Sequence, residues 1–296
     1  MSETSASGFP ATAEGAGFFR AYDAVLSKWP AEVTSEQVQS PFGTTWVNTC
    51  GPVGGPPVIL VPGQRATSTV WFNNVGELSR RHRIFAIDIL GDAGRSMAAA
   101  DTPVRSRDDL LTWFGGILDH FTLDAPAAVA HSYGAMIALA YALAHPERLS
   151  KLVLLDPNST FTGMRAPYLL RAIPLLARPT GKRERDLIAW ETGGQPLDED
   201  WLNLITRGVA DFPKGRTVVP KRPKAAALSA LTAQTTVILA EHSKVHDSHR
   251  TAEKIRTTMP AATTIILPGA THHTLPMSPA PALNTALTTA LTTALD

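Results

Sequence analysis

The run Ala127-Ala128-Val129-Ala130 is small and apolar, as a buried strand is, and the stretch from Ala135 to His145 has the spacing of a helix. Between them the chain turns through His131-Ser132-Tyr133-Gly134. Small residues on both sides of a serine let the backbone bend sharply, which lifts the hydroxyl clear of the sheet. The helix start behind it favours developing negative charge. A serine that merely caps a helix gives the same local pattern, so the surrounding order of elements has to decide between the two. Within the helix, Met136, Ile137, Ala140 and Tyr141 are expected to form one apolar face.

That order is an alternation. Val58 to Val61 is a continuous apolar run, as a strand buried on both faces requires. Ile84 to Ile87 reads as a strand, Arg107 to His120 as a helix, and Leu152 to Leu155, Val237 to Leu239 and Thr264 to Leu267 as further strands. Upstream, Phe18 to Trp29 reads as a short amphipathic helix and Gln37 to Asn48 as a hairpin turning near Pro41-Phe42-Gly43. Such alternation implies an α/β fold, a mostly parallel sheet covered by helices.

From about Asn158 to Leu231 the rhythm breaks. Pro167, Pro174, Pro179, Pro213, Pro220 and Pro223 and the aromatics Phe161, Tyr168, Trp190 and Trp201 fall there. The expected organisation is a core of residues 1–157 and 232–296 with a helical cap of residues 158–231. The cap aromatics either line a pocket or pack on one another. Leu283, Leu287, Leu291 and Leu295 recur every four residues, the stripe of a helix docked on the core.

Composition narrows the partners. A net charge of +1 gives no electrostatic case for nucleic acid. The single Cys50 excludes an internal disulfide framework and fits a reducing compartment. Residues 1–17 lack the charged start and apolar run of a signal peptide, and no apolar stretch is long enough to span a bilayer. The expectation is a cytoplasmic protein acting on a small molecule, with no membrane or nucleic-acid partner. The oligomeric state stays open. His242, His246 and His249 with Asp247 raise the question of a metal, but without a cysteine or an HExxH run they read as the solvated start of a helix, and no metal or other cofactor is expected.

Four motifs in one order carry a resemblance: Val61-Pro62-Gly63-Gln64, Asp88-Ile89-Leu90-Gly91-Asp92-Ala93-Gly94-Arg95-Ser96, the turn at Ser132, and Gly269-Ala270-Thr271-His272. With them the chain resembles the α/β-hydrolase family over nearly its whole length, and looks most like small bacterial carboxylesterase-type members. Gly91 and Gly94 stand one residue further apart than the commonest family pattern.

The resemblance implies Ser132 as nucleophile and His272 as its base, with His273 an adjacent competitor and His131 a packing residue. It implies the amides of Gln64 and Tyr133 as oxyanion donors, although Pro62-Gly63 stands where the family often has His-Gly. The acid is open. Where the family commonly has a carboxylate, Ala240-Glu241-His242-Ser243 places a serine. Some members take the acid from the strand after the elbow helix, here Asp156; Asp247, Glu241 or no acid at all are the alternatives. A serine rather than an aspartate at the elbow disfavours chemistry through an ester on aspartate. The implied activity is hydrolysis of a carboxylic ester or lactone through an acyl-enzyme on Ser132. Fold does not fix reaction. The alternatives are a non-hydrolytic cyclase, lyase or acyltransferase of natural-product metabolism, or a non-enzymatic small-molecule receptor.

Overall fold

The structure is a computed structural model that describes residues 8–213 and 215–292. In chain order its elements are α1 (Ala13–Leu26), β1 (Thr34–Ser40), β2 (Gly43–Cys50), β3 (Pro57–Val61), α2 (Val75–Leu78), β4 (Arg83–Ile87), β5 (Met97–Ala98), α3 (Arg107–His120), β6 (Ala127–His131), α4 (Ser132–Ala144) and β7 (Lys151–Leu155). There follow α5 (Ala166–Ala177), α6 (Gly181–Glu191), α7 (Glu199–Ala210), α8 (Ala225–Ser229), β8 (Gln234–Ala240), α9 (Ser248–Thr258), β9 (Thr263–Leu267) and α10 (Ala280–Thr292). The strands form one sheet ordered β1-β2-β4-β3-β6-β7-β8-β9, with β5 paired to β2. Every pairing from β4 to β9 is parallel, and those of β2 with β1, β4 and β5 are antiparallel. This is the α/β-hydrolase fold, with helices on both faces of a mostly parallel sheet.

The apolar runs explain the layers. In β3, Ile59 and Val61 face a core shared with α3 and α4, whereas Val58 and Leu60 face a core shared with α1 and α10. Each such side chain contributes about 1.5–3 kcal/mol by leaving water. Ser106 and Asp109 form a reciprocal capping box that starts α3 at Arg107. Leu283, Leu287 and Leu291 of α10 are buried against the core, and Leu295 of the same stripe lies outside the described residues.

Three sequence expectations need correction. The first helix runs from Ala13 rather than Phe18, because the Thr12 side chain accepts from Gly15 N and starts it earlier. It ends at Leu26, three residues before Trp29. The face expected on α4 does not exist as a face: Ser132 to Ala142 are all buried, since sheet and helices enclose it on every side. His246 is not at a solvated helix start; it lies ahead of α9 with 1% of its side chain exposed.

Residues 158–231 carry α5 to α8 and are tied to the sheet by specific bonds. Tyr133 Oη donates to Val218 O (2.7 Å), Gln64 Nε2 to Thr217 Oγ1 (3.2 Å), and Arg65 pairs with Glu184 at 3.4 Å. Among the described residues no helix is long and apolar enough to cross a membrane, and no group of three or more His, Cys, Asp or Glu is placed to hold a metal ion.

Candidate active site

Open α/β sheets bind ligands at the carboxyl ends of their strands, and the residues singled out by sequence converge there. Ser132 follows β6 directly and has φ +51, a left-handed conformation that a side-chain-bearing residue adopts only when its surroundings enforce it. The close turn explains Gly134: a Cβ there would lie 2.3 Å from Pro62 O. The elbow is therefore built against the loop after β3, and that loop carries Gln64.

Ser132 Oγ lies 3.0 Å from His272 Nε2, and His272 Nδ1 lies 2.6 Å from Asp156 Oδ2. All three residues are buried. With Nδ1 facing a carboxylate, the imidazole carries its proton there and offers Nε2 as acceptor to the serine hydroxyl.

Asp156 follows β7, with φ +40, and is fully buried. Oδ2 also accepts from Ser243 Oγ (2.9 Å), and Oδ1 accepts from Ala240 N (3.0 Å). His246 Nε2 stands 3.0 Å from Oδ1 as a charge contact outside hydrogen-bond alignment. Burial alone would push this carboxyl up; His246, then His272, outweigh it and hold Asp156 well below the ordinary carboxylate range.

The other two carboxylates have different work. Glu241 accepts from Gly269 N (2.9 Å), and Asp247 caps α9 through Arg250 N (2.9 Å). Ser243, where an acid was expected, is a donor to the acid instead.

The neighbouring histidines also separate. His131 Nε2 donates to His272 O (3.1 Å), and burial, then the nearby His272, push its imidazole down to about 3, so it stays neutral. His273 turns to Glu191, 3.1 Å from Nδ1 to Oε2.

Sequence reasoning missed Glu191. This buried residue at the end of α6 accepts from His272 N (3.1 Å) and Lys244 N (3.2 Å) on Oε1, and from His273 N (3.1 Å) on Oε2. It clasps the loop that carries His272 to the loop after β8. Burial would push its carboxyl up, but the bond from His273 outweighs that and brings it to about 2. No local pattern marks Glu191, because its partners lie more than fifty residues away in sequence. Glu191→Ala would leave three amides without their acceptor, at about 1–3 kcal/mol each if they stay buried. The expected result is a lower thermal midpoint and a kcat reduced about 10- to 100-fold by a displaced His272. Melting curves and turnover measurements would check both, and an unchanged kcat would show that the clasp does not position the histidine.

A cleft, partly open to solvent, lies over Ser132 and His272. One part of its wall is apolar, with Val70, Leu187, Trp201, Ile205 and Leu275; Arg65, Tyr168, Glu184 and His273 supply a polar part. Of the aromatics singled out in residues 158–231, Trp201 and Tyr168 line this cleft, Phe161 packs in the core, and Trp190 packs near Tyr168 and under Lys244.

Residues 58–285 match the family model described as "Alpha/beta hydrolase family". The chain is 31% identical over 186 residues to carboxylesterase YbfK of Bacillus subtilis, a match covering 62% of this chain and 61% of that protein. It is 28% identical over 163 residues to the uncharacterized carboxylesterase nap of the same organism, covering 55% and 54%. These matches span between half and two thirds of the relatives' length. Its fold superposes on the crystal structure of carboxylesterase CesB (YbfK) from Bacillus subtilis with a TM-score of 0.87 at 23% identity, covering 96% of this chain and 100% of that one. The structure of naproxen esterase (carboxylesterase NP) from Bacillus subtilis gives 0.86 at 23% identity, covering 94% and 98%.

Proposed function

The chain belongs to the alpha/beta hydrolase family, and from that premise we propose that it hydrolyses a carboxylic ester or lactone through an acyl-enzyme on Ser132. The observation that carries this reading is the buried line from Ser132 Oγ to His272 Nε2 (3.0 Å) and from His272 Nδ1 to Asp156 Oδ2 (2.6 Å). The similarity to proteins named carboxylesterases supports the choice of an ester bond.

A serine hydroxyl is protonated at neutral pH and a weak nucleophile until a base accepts its proton. His272 Nε2 takes that proton as Oγ attacks the ester carbonyl, and Asp156 stabilises the imidazolium that forms. The amides of Gln64 and Tyr133 hold the developing oxyanion. Collapse expels the alcohol, which takes its proton from His272. Water, activated by the same imidazole, then releases the acid and restores Ser132. Residues 158–231 serve as the cap, and Trp201 and Leu187 receive an apolar group of the substrate. The substrate is a small molecule, and the steps use only this chain and water.

Fluorophosphonate labelling tests the nucleophile. The wild-type chain is expected to label at Ser132 and Ser132→Ala not at all. Equal labelling of the two would sink the assignment.

A further inference from the structure

We propose that His246 is a positioning residue of this site: it pins the Asp156 oxygen that His272 leaves free and keeps the carboxylate in line with the base. The inference rests on the acid role given to Asp156 above.

The torsion that orients a carboxylate is broad and nearly two-fold, so one contact on one oxygen fixes its plane poorly. Asp156 sits beyond the end of β7, at φ +40, and its plane depends on what meets both oxygens. Oδ2 is taken by His272 Nδ1 at 2.6 Å and Ser243 Oγ at 2.9 Å. Oδ1 has Ala240 N at 3.0 Å and His246 Nε2 at 3.0 Å. Ala240, Ser243 and His246 all come from the end of β8 and the loop after it. That segment cradles the carboxylate while His272 approaches from the loop after β9.

The loop is firm enough for the task. Ser248 Oγ donates to Ala240 O (2.5 Å), Arg165 N donates to Val245 O (2.8 Å), and Asp247 caps α9. His246 and Asp156 have 1% and 0% of their side chains exposed, so water competes little for either. Nε2 has no hydrogen-bond partner among the described residues, and Asp156 Oδ1 is the charge that faces it. The other charged groups acting on it are Asp247 and Glu191, both acidic, with His272 across the carboxylate. Burial would push this imidazole down, but the Asp156 charge outweighs it and raises it above an ordinary histidine. Facing Oδ1, Nε2 therefore carries a proton.

Two His246 variants and two spectra test the proposal. His246→Leu removes the imidazole that faces Oδ1, and His246→Gln puts a polar side chain without charge in its place. With p-nitrophenyl acetate, His246→Leu is expected to lower kcat about 10- to 100-fold, the scale of a misplaced catalytic group, with KM within about twofold. His246→Gln, which carries no charge, should lose about as much. In the wild-type protein the His246 ring, followed by ¹⁵N NMR, should titrate above an ordinary histidine, and in Asp156→Asn it should fall to or below that value. An unchanged kcat in His246→Leu, a wild-type kcat in His246→Gln, or a His246 titration indifferent to Asp156→Asn would each overturn the proposal. If His246→Leu does not fold, the two spectra decide alone. If wild type hydrolyses no ester, the proposed function fails, and the spectra still report on the His246–Asp156 contact.

Discussion

Ser132→Ala and His272→Ala are each expected to reduce kcat for an activated ester by roughly a million-fold, and the double variant by no more than either single one. The reason lies in the 3.0 Å contact between Oγ and Nε2. Without the imidazole, the hydroxyl keeps its proton and cannot attack; without the hydroxyl, the imidazole has no bound nucleophile to activate. The two groups form one device, so losing half of it is losing all of it. What survives should be the contribution of the Gln64 and Tyr133 amides and of substrate binding, about 10³–10⁴ over water in comparable serine hydrolases. Stopped assays with the three variants, each with a wild-type-like thermal midpoint, give the answer. Losses that multiply in the double variant would mean that Ser132 and His272 act independently, contrary to the proposed mechanism.

The parts of this molecule that were legible in the sequence are those whose cause is local. Strands β3, β4, β6, β7 and β9 were read within a residue at each end: the first four because strands buried on both faces show as unbroken apolar runs, and β9 by its Ile265-Ile266-Leu267. Helix α3 was read at both ends, where Ser106 starts it and the apolar spacing stops. The start of α1 was missed because Ala13 to Gly17 are small and give no period, and β5 because two residues carry no pattern. At the site, motif order singled out Ser132 and His272, which the structure brings together. The acid position stayed open because its geometry is made by contacts 84 to 116 residues apart in the chain, from Ala240, Ser243 and His272 to Asp156. A serine at the expected position could not announce that it would donate to a carboxylate just beyond the end of the neighbouring strand. His246 was visible in the sequence as one of three close histidines, and only burial separates it from the exposed His242.

Asp156→Asn is expected to lower kcat by about 10⁴ while leaving the backbone of the site in place. An amide can present its NH₂ to His272 Nδ1, which then accepts, and the imidazole proton moves to Nε2. In that tautomer Nε2 cannot receive the proton of Ser132, so a nearly isosteric change stops the base. The same substitution should weaken the fold in a way that depends on pH. The folded Asp156 carboxyl is held below its unfolded value, so its contribution is present above about pH 4 and is lost only as pH falls through the folded value. From pH 5 to 9 the variant lacks all of it. His246 is raised in the folded protein, so the stability it adds is complete below about pH 6.5 and fades as pH rises through its folded value. Without the Asp156 charge, burial disfavours a protonated His246, and that stability is missing where it was largest. Urea unfolding should therefore show a loss of about 3 kcal/mol or more at pH 5.5 and a smaller one at pH 8.5. Equal losses at the two pH values would show that His246 carries no charge beside Asp156, and a wild-type kcat in the variant would remove Asp156 from the proposed mechanism.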